Sequence, residues 1–222
     1  MMNNLFSAFD PSTNMKMSLN WISTCFVLFI LPMSFWTMPN RSVSLFYKLL
    51  MILFSEFKMI LGEKSKGTSM MMISLFMFIM ANNMMGLMPY IFTSSSHLTF
   101  TLSMALPLWM SFMMFGWINN TNHMLAHLVP LGTPNILMPF MIIIETISNI
   151  IRPGSLAVRL TANMIAGHLL MSLLGNNSLI VTNFMLWFII SVQVMLMIFE
   201  VAVSFIQAYV FSILSTLYSS EI

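Results

Sequence analysis

The sequence predicts an all-α integral membrane protein of about six helices, and two observations force that class. Only 6% of its 222 residues are charged while 59% are hydrophobic, against about 25% charged in a typical soluble domain. Eight Lys+Arg and six Asp+Glu side chains cannot clothe a soluble protein of this length. The apolar residues also gather into stretches near the roughly 20 residues that span a bilayer as a helix. Disorder needs the opposite composition. A net charge of +2 is too small for a nucleic-acid binder, which would carry a basic stripe. The single cysteine, Cys25, leaves no disulfide framework or CxxC site,. Nothing in the pattern calls for a cofactor. The 28 Met and 20 Phe fit apolar filler and also an AT-rich organellar genome, which points to a mitochondrial inner membrane.

A single membrane domain fills residues 1–222. Residues 1–17 form a polar N-terminus that is too poor in positive charge for a signal peptide,. The first span is expected over 19–36, flanked by Trp21 and Trp36 at the interfaces, with Pro32 kinking its end,. Residues 44–61 read as an amphipathic helix that fits the membrane plane better than a crossing. Phe46, Leu49, Leu50, Leu53, Phe54, Phe57, Ile60 and Leu61 recur at helical spacing, opposite Lys48, Ser55, Glu56 and Lys58,. Arg41, Lys48, Lys58, Lys64 and Lys66 concentrate cations here, which puts this region on the matrix or cytoplasmic side and the N-terminus on the other,. Spans over 69–92 and 98–117 follow, the first interrupted by Asn82, Asn83 and Gly86 and the second carrying Pro107. A polar loop begins at Asn119. His97, His123 and His127 read as interfacial histidines, since the i, i+4 pair lacks a third metal ligand,.

The C-terminal part holds two long elements. Residues 135–174 form an inclined bent helix or a hairpin, with Arg152-Pro153-Gly154 as the sharp break. Residues 178–218 form one long helix with neither Gly nor Pro, about 60 Å long at 1.5 Å per residue. A hydrocarbon core about 30 Å thick contains such a helix only if the axis leans steeply or the helix breaks; the oblique reading is favoured.

Buried ionisable groups mark these two elements. A charge at bilayer depth costs roughly 2.5–3.5 kcal/mol on insertion scales, so Glu145, Arg159, His168 and Glu200 read by default as an ion or proton path,. At 100° per residue Gln193, Glu200 and Gln207 share one face of the last helix, with Ser204 beside them,. Arg159 and Asn163, at i, i+4, share a face of the preceding one. His168 lies about half a turn round from Arg159, so the two look into different spaces, as two aqueous pockets divided by a fixed cation would require. Plainer readings stand beside these: Arg159 snorkelling to an interface, His168 satisfied in helix packing, and Ala162, Ala166 and Gly167 serving close helix approach. Cys25 and the Met runs at 70–72 and 84–85 read as lipid-facing or core filler.

The run Pro153-Gly154-Ser155-Leu156-Ala157-Val158-Arg159-Leu160-Thr161-Ala162-Asn163-Met164-Ile165-Ala166-Gly167-His168 resembles the signature of the subunit a family of F-type ATP synthases: Pro, small residues, then Arg-Leu-x-x-Asn-x-x-Ala-Gly and a polar residue. Gln207-Ala208 in a long apolar terminal helix resembles it too. The resemblance covers essentially the whole chain, and the Met-rich composition without a cleavable presequence resembles the mitochondrially encoded form.

The resemblance implies a non-catalytic, proton-translocating stator subunit in the mitochondrial inner membrane, working against a c-ring with a peripheral stalk and other membrane subunits, and without nucleic acid. It implies that Arg159 faces the carboxylate of the rotating ring. Asn163, His168, Glu200 and Gln207 fall at positions of the inlet half-channel, and Glu145 at one of the half-channel toward the matrix. Gln193 and Ser204 are further candidates on the same stripe. Bacterial relatives often carry an acid at the position of His168 and a histidine at that of Glu200, so the pair is exchanged here. Two alternatives remain from the residues alone. A secondary transporter would show internal repeats with broken helices, and no duplication is evident. A membrane scaffold subunit would tolerate neutralising Arg159 and Glu200.

Overall fold

A computed structural model describes the chain except for residues 1–4, 14–16, 31, 33–36, 63–65, 130–132, 135, 179–182 and 221–222. Seven α-helices are formed by the described residues, with no strand among them: α1 Ser23–Ile30, α2 Arg41–Leu61, α3 Lys66–Gly86, α4 Leu98–Asn119, α5 Thr121–His127, α6 Met138–Ser178 and α7 Asn183–Ser220. Short 3-10 turns occupy Leu5–Phe9, Leu19–Ile22 and Ser94–Ser96. Four helices, α3, α4, α6 and α7, are long and apolar enough to cross a membrane. The chain is an all-α membrane protein.

The segment expected to span from 19 to 36 opens as the 3-10 turn and continues as the eight residues of α1. Eight residues rise only about 12 Å, too little to cross alone. Pro32 stands outside any helix, as its missing N–H favours, and residues 31 and 33–36 lie outside those described.

Helix α2 ends at Gly62, whose φ of +73° is open to glycine at little steric cost, and whose N–H donates to the Lys58 carbonyl at 3.0 Å. Of the apolar face read from the sequence, Phe57 is fully buried against Met72 and Ile73 of α3, with Leu50, Phe54 and Leu61 packed beside it. Leu49 points away, 61% exposed. Glu56, grouped by spacing with the outward polar side, is half-buried instead and accepts a hydrogen bond from the Tyr209 hydroxyl of α7 at 3.2 Å.

The polar stretch beginning at Asn119 is more ordered than its composition suggests. Asn120 is followed by helix α5, on which His123 and His127 stack with ring centroids 6.3 Å apart.

Helix α6 runs through Arg152-Pro153-Gly154 without interruption for 41 residues, and residues 175–178, placed beyond it by the sequence, belong to it. Pro153 removes one ladder bond, the one to the Asn149 carbonyl. Its buried ring packs where α6 meets α4 and α7, and packing holds the helix together across the lost bond. At 1.5 Å per residue α6 and α7 are about 62 and 57 Å long.

The main core joins four helices: Phe76 and Ile79 of α3, Ala105 of α4, Leu156, Ala157 and Leu160 of α6, and Ala208 and Phe211 of α7. Small residues at 105, 157 and 208 let the backbones approach closely, the usual device for packing helices in lipid. This core fixes the rotation of α6 and α7, and with it the direction in which each polar side chain looks.

Candidate functional site

The buried face of α6 consists of Pro153, Leu156, Ala157, Leu160, Thr161 and Met164. Arg159 lies on the opposite side, exposed, with no hydrogen bond or ion pair to any described residue. Ser155, Val158, Ala162 and Ala166 are exposed around it. Ala162 and Ala166, expected to serve close helix packing, face outward, so these small side chains flank the guanidinium rather than the core. Asn163, one turn beyond Arg159, is half-buried.

His168 and Glu200 turn the other way. Glu200 lies on α7 with its Oε1 buried and without a hydrogen-bond partner, and the Nε2 of His168 is likewise buried and unpaired. The His168 ring sits against the backbone of Gly86 at the end of α3 and meets the Phe9 ring edge-on, centroids 6.1 Å apart. Gly167 makes the room: a Cβ there would fall 2.8 Å from both Cδ and Oε1 of Glu200. Native structures pair the great majority of buried polar atoms, and a carboxylate left unpaired at membrane depth is costly. Two such groups stand here on neighbouring helices, α6 and α7.

Along α7 the predicted stripe is turned toward the rest of the chain. Gln193, Glu200 and Gln207 are half-buried and Ser204 is buried, while Val194, Met195, Ile198, Phe199, Phe205 and Ile206 are exposed. The Ser204 hydroxyl donates to the Val201 carbonyl at 2.7 Å and lies 3.4 Å from the sulfur of Met84 on α3.

A second polar cluster lies toward the start of α6. Arg152 Nη2 donates to Glu145 Oε1 at 3.4 Å, and the Arg152 guanidinium stands over the Tyr218 ring, 5.1 Å from its centroid. Arg152 and Tyr218 line a cleft between α4, α5, α6 and α7 together with Asn149, Trp109 and His127. From Arg152 to His168 is about 24 Å along the helix, with Arg159 between them. The two clusters are thus separated along α6, and the cation between them looks outward.

Two members of the site escape a sequence reading. Gly167 reads as a packing glycine, yet its neighbour is a carboxylate. Phe9 falls in a stretch classed as polar terminus, and only the fold brings it to His168.

The chain matches the family described as ATP synthase A chain over residues 17–220. It belongs to that family. It is 61% identical over 224 residues to the ATP synthase subunit a of Locusta migratoria, with 100% of each chain covered. The ATP synthase subunits a of Anopheles gambiae and Drosophila melanogaster are 60% and 58% identical over 225 and 223 residues, again with 100% of each covered. The resemblance carried by the Arg159 run is borne out by these matches. As a family member the chain is a component of the membrane sector of ATP synthase, a proton-transporting complex, and works with the other subunits of that complex.

Proposed function

We propose that the chain is the stationary proton conductor of a mitochondrial inner-membrane ATP synthase, with two offset half-channels that meet a rotating c-ring at Arg159. The observation that carries this reading is the division of polar groups on α6: Arg159 outward and unpaired, His168 inward with Glu200 at one end, and Glu145 with Arg152 at the other.

The physical logic is short. A rotor carboxylate facing lipid has to be protonated, because an unpaired charge there is too costly. Opposite a guanidinium within about 4–6 Å it is favoured ionised. A proton arriving through the pocket of His168, Glu200, Asn163 and Gln207 neutralises that carboxylate and frees it to move into lipid. After a circuit it is released on the side of Glu145. Between the pockets a guanidinium is a barrier to protons that cannot itself relay one, since it keeps its charge under protein conditions. Gln193 and Ser204 extend the polar wall of α7. The small exposed side chains of Ala162 and Ala166 would let a rotor helix come close to Arg159. Each elementary charge moved is worth about 2.3 kcal/mol per 100 mV.

Arg159→Ala in the whole complex, reconstituted in vesicles, is expected to abolish ATP-driven proton pumping while the complex stays assembled. Pumping retained in that variant would remove the reading and leave a scaffold role.

A further inference from the structure

The N-terminal turn Leu5–Phe9 lies on the pocket that holds His168, a residue far from it in sequence. The edge-on contact of Phe9 with His168 is one tie. The other is a hydrogen bond spanning 88 residues, between His97 Nε2 and the Phe9 carbonyl at 2.9 Å. His97 is itself held on both sides. Its ring stacks on Phe92 at 5.2 Å and lies 5.3 Å from Trp21, while Trp21 and Phe92 meet at 5.5 Å. Two further bonds fasten the surroundings: Ser23 Oγ to the Phe92 carbonyl at 3.4 Å, and Asn20 Nδ2 to the Asp10 carbonyl at 3.2 Å.

We propose that this turn is a fixed cover over the outer side of the His168–Glu200 pocket, with Phe9 as the covering ring and His97 as the positioning residue that holds it there. The inference rests on the reading of that pocket as the inlet half-channel. Phe9 has no proton to exchange, so its contribution is spatial: an aromatic edge keeps the histidine ring in one orientation and narrows the approach of water to it. His97 supplies an N–H to a carbonyl, a bond that needs the donor and no change of charge. The contacts of His97 with Phe92 and Trp21 hold the donor in place, so little side-chain freedom remains to be lost in forming the bond,.

The test uses the intact complex in membrane vesicles and reads diethyl pyrocarbonate modification of His168 by mass spectrometry, as initial rates at low reagent dose so that modification of His97 itself stays negligible. In wild type His168 should react slowly. Phe9→Ala should raise its rate severalfold. His97→Leu, which leaves Phe9 in the chain but removes the donor, should raise it as well, and His97→Gln, which restores an N–H, should bring it back toward wild type. An unchanged rate in both Phe9→Ala and His97→Leu overturns the proposal, as does a His97→Gln variant that reacts as fast as His97→Leu. Modification does not depend on proton flow. If the half-channel reading were wrong, His168 variants would pump normally while the contrast in labelling persisted.

Discussion

The side chain that Gly167 lacks is replaced in space by the carboxyl group of Glu200, 2.8 Å from where a Cβ would stand. Real Cβ atoms essentially never approach another heavy atom so closely, so any larger residue must push the Glu200 side chain of α7 out of its place against α6. Gly167→Ala is expected to slow coupled proton flow by about tenfold or more, roughly 1.4 kcal/mol on the barrier, and Gly167→Val to slow it further. ATP-driven acidification of vesicles, normalised to the amount of assembled complex, measures this. Wild-type rates in Gly167→Val would show that Glu200 works elsewhere.

Glu200→Gln separates shape from proton exchange. The amide fills nearly the same volume, and a neutral group is cheaper to bury than a carboxylate. The complex is therefore expected to keep or gain thermal stability while losing proton pumping. A thermal unfolding scan beside the pumping assay distinguishes this outcome from simple misfolding, which would lower both.

The Glu145–Arg152 pair is about a quarter exposed on each side, at 27% and 27%. Partly exposed ion pairs contribute about 0–1 kcal/mol. Glu145→Gln should accordingly leave assembly and stability almost unchanged, while it slows proton release from the cleft beside Tyr218. A stability loss as large as that of a core deletion, about 2–5 kcal/mol, would mean that the pair is structural.

Asp10 is expected to give the segment around the N-terminal turn a pH dependence. Its carboxyl accepts bonds from the Ser12 backbone N–H at 3.1 Å and from the Ser12 hydroxyl at 2.8 Å, and the backbone bond foremost holds it below its ordinary value of 3.8. A depressed carboxylate stabilises the fold at pH above its unfolded value, and that contribution is lost as pH falls through the lower folded value. Amide exchange over residues 5–13, corrected for intrinsic rates, should rise as pH drops below about 4, and the rise should vanish in Asp10→Asn.

Much of the architecture was legible because hydropathy and length act locally. The apolar runs behind α3, α4 and α7 needed no tertiary information. The half-turn offset between Arg159 and His168 followed from helical geometry alone. The departures have tertiary causes. Arg152-Pro153-Gly154 reads as a break, yet Pro153 is buried against α4 and α7, and packing outweighs the lost ladder bond. Glu56 accepts a hydrogen bond from the Tyr209 hydroxyl of α7, which spacing on α2 cannot foresee. The candidate site was legible as a set of costly side chains in an apolar chain. The relation of Gly167 to Glu200 and of Phe9 to His168 was not, because each joins segments far apart in sequence.

Helix α7 keeps little of its most apolar stretch inside the chain, with Phe184, Trp187, Phe188, Met195, Ile198 and Phe199 uncovered. Lipid or neighbouring subunits have to supply the missing half of its surroundings. A copy made in excess of its partners would present that bare flank to whatever lay nearby, so its survival in the cell should track the supply of the subunits that dock there.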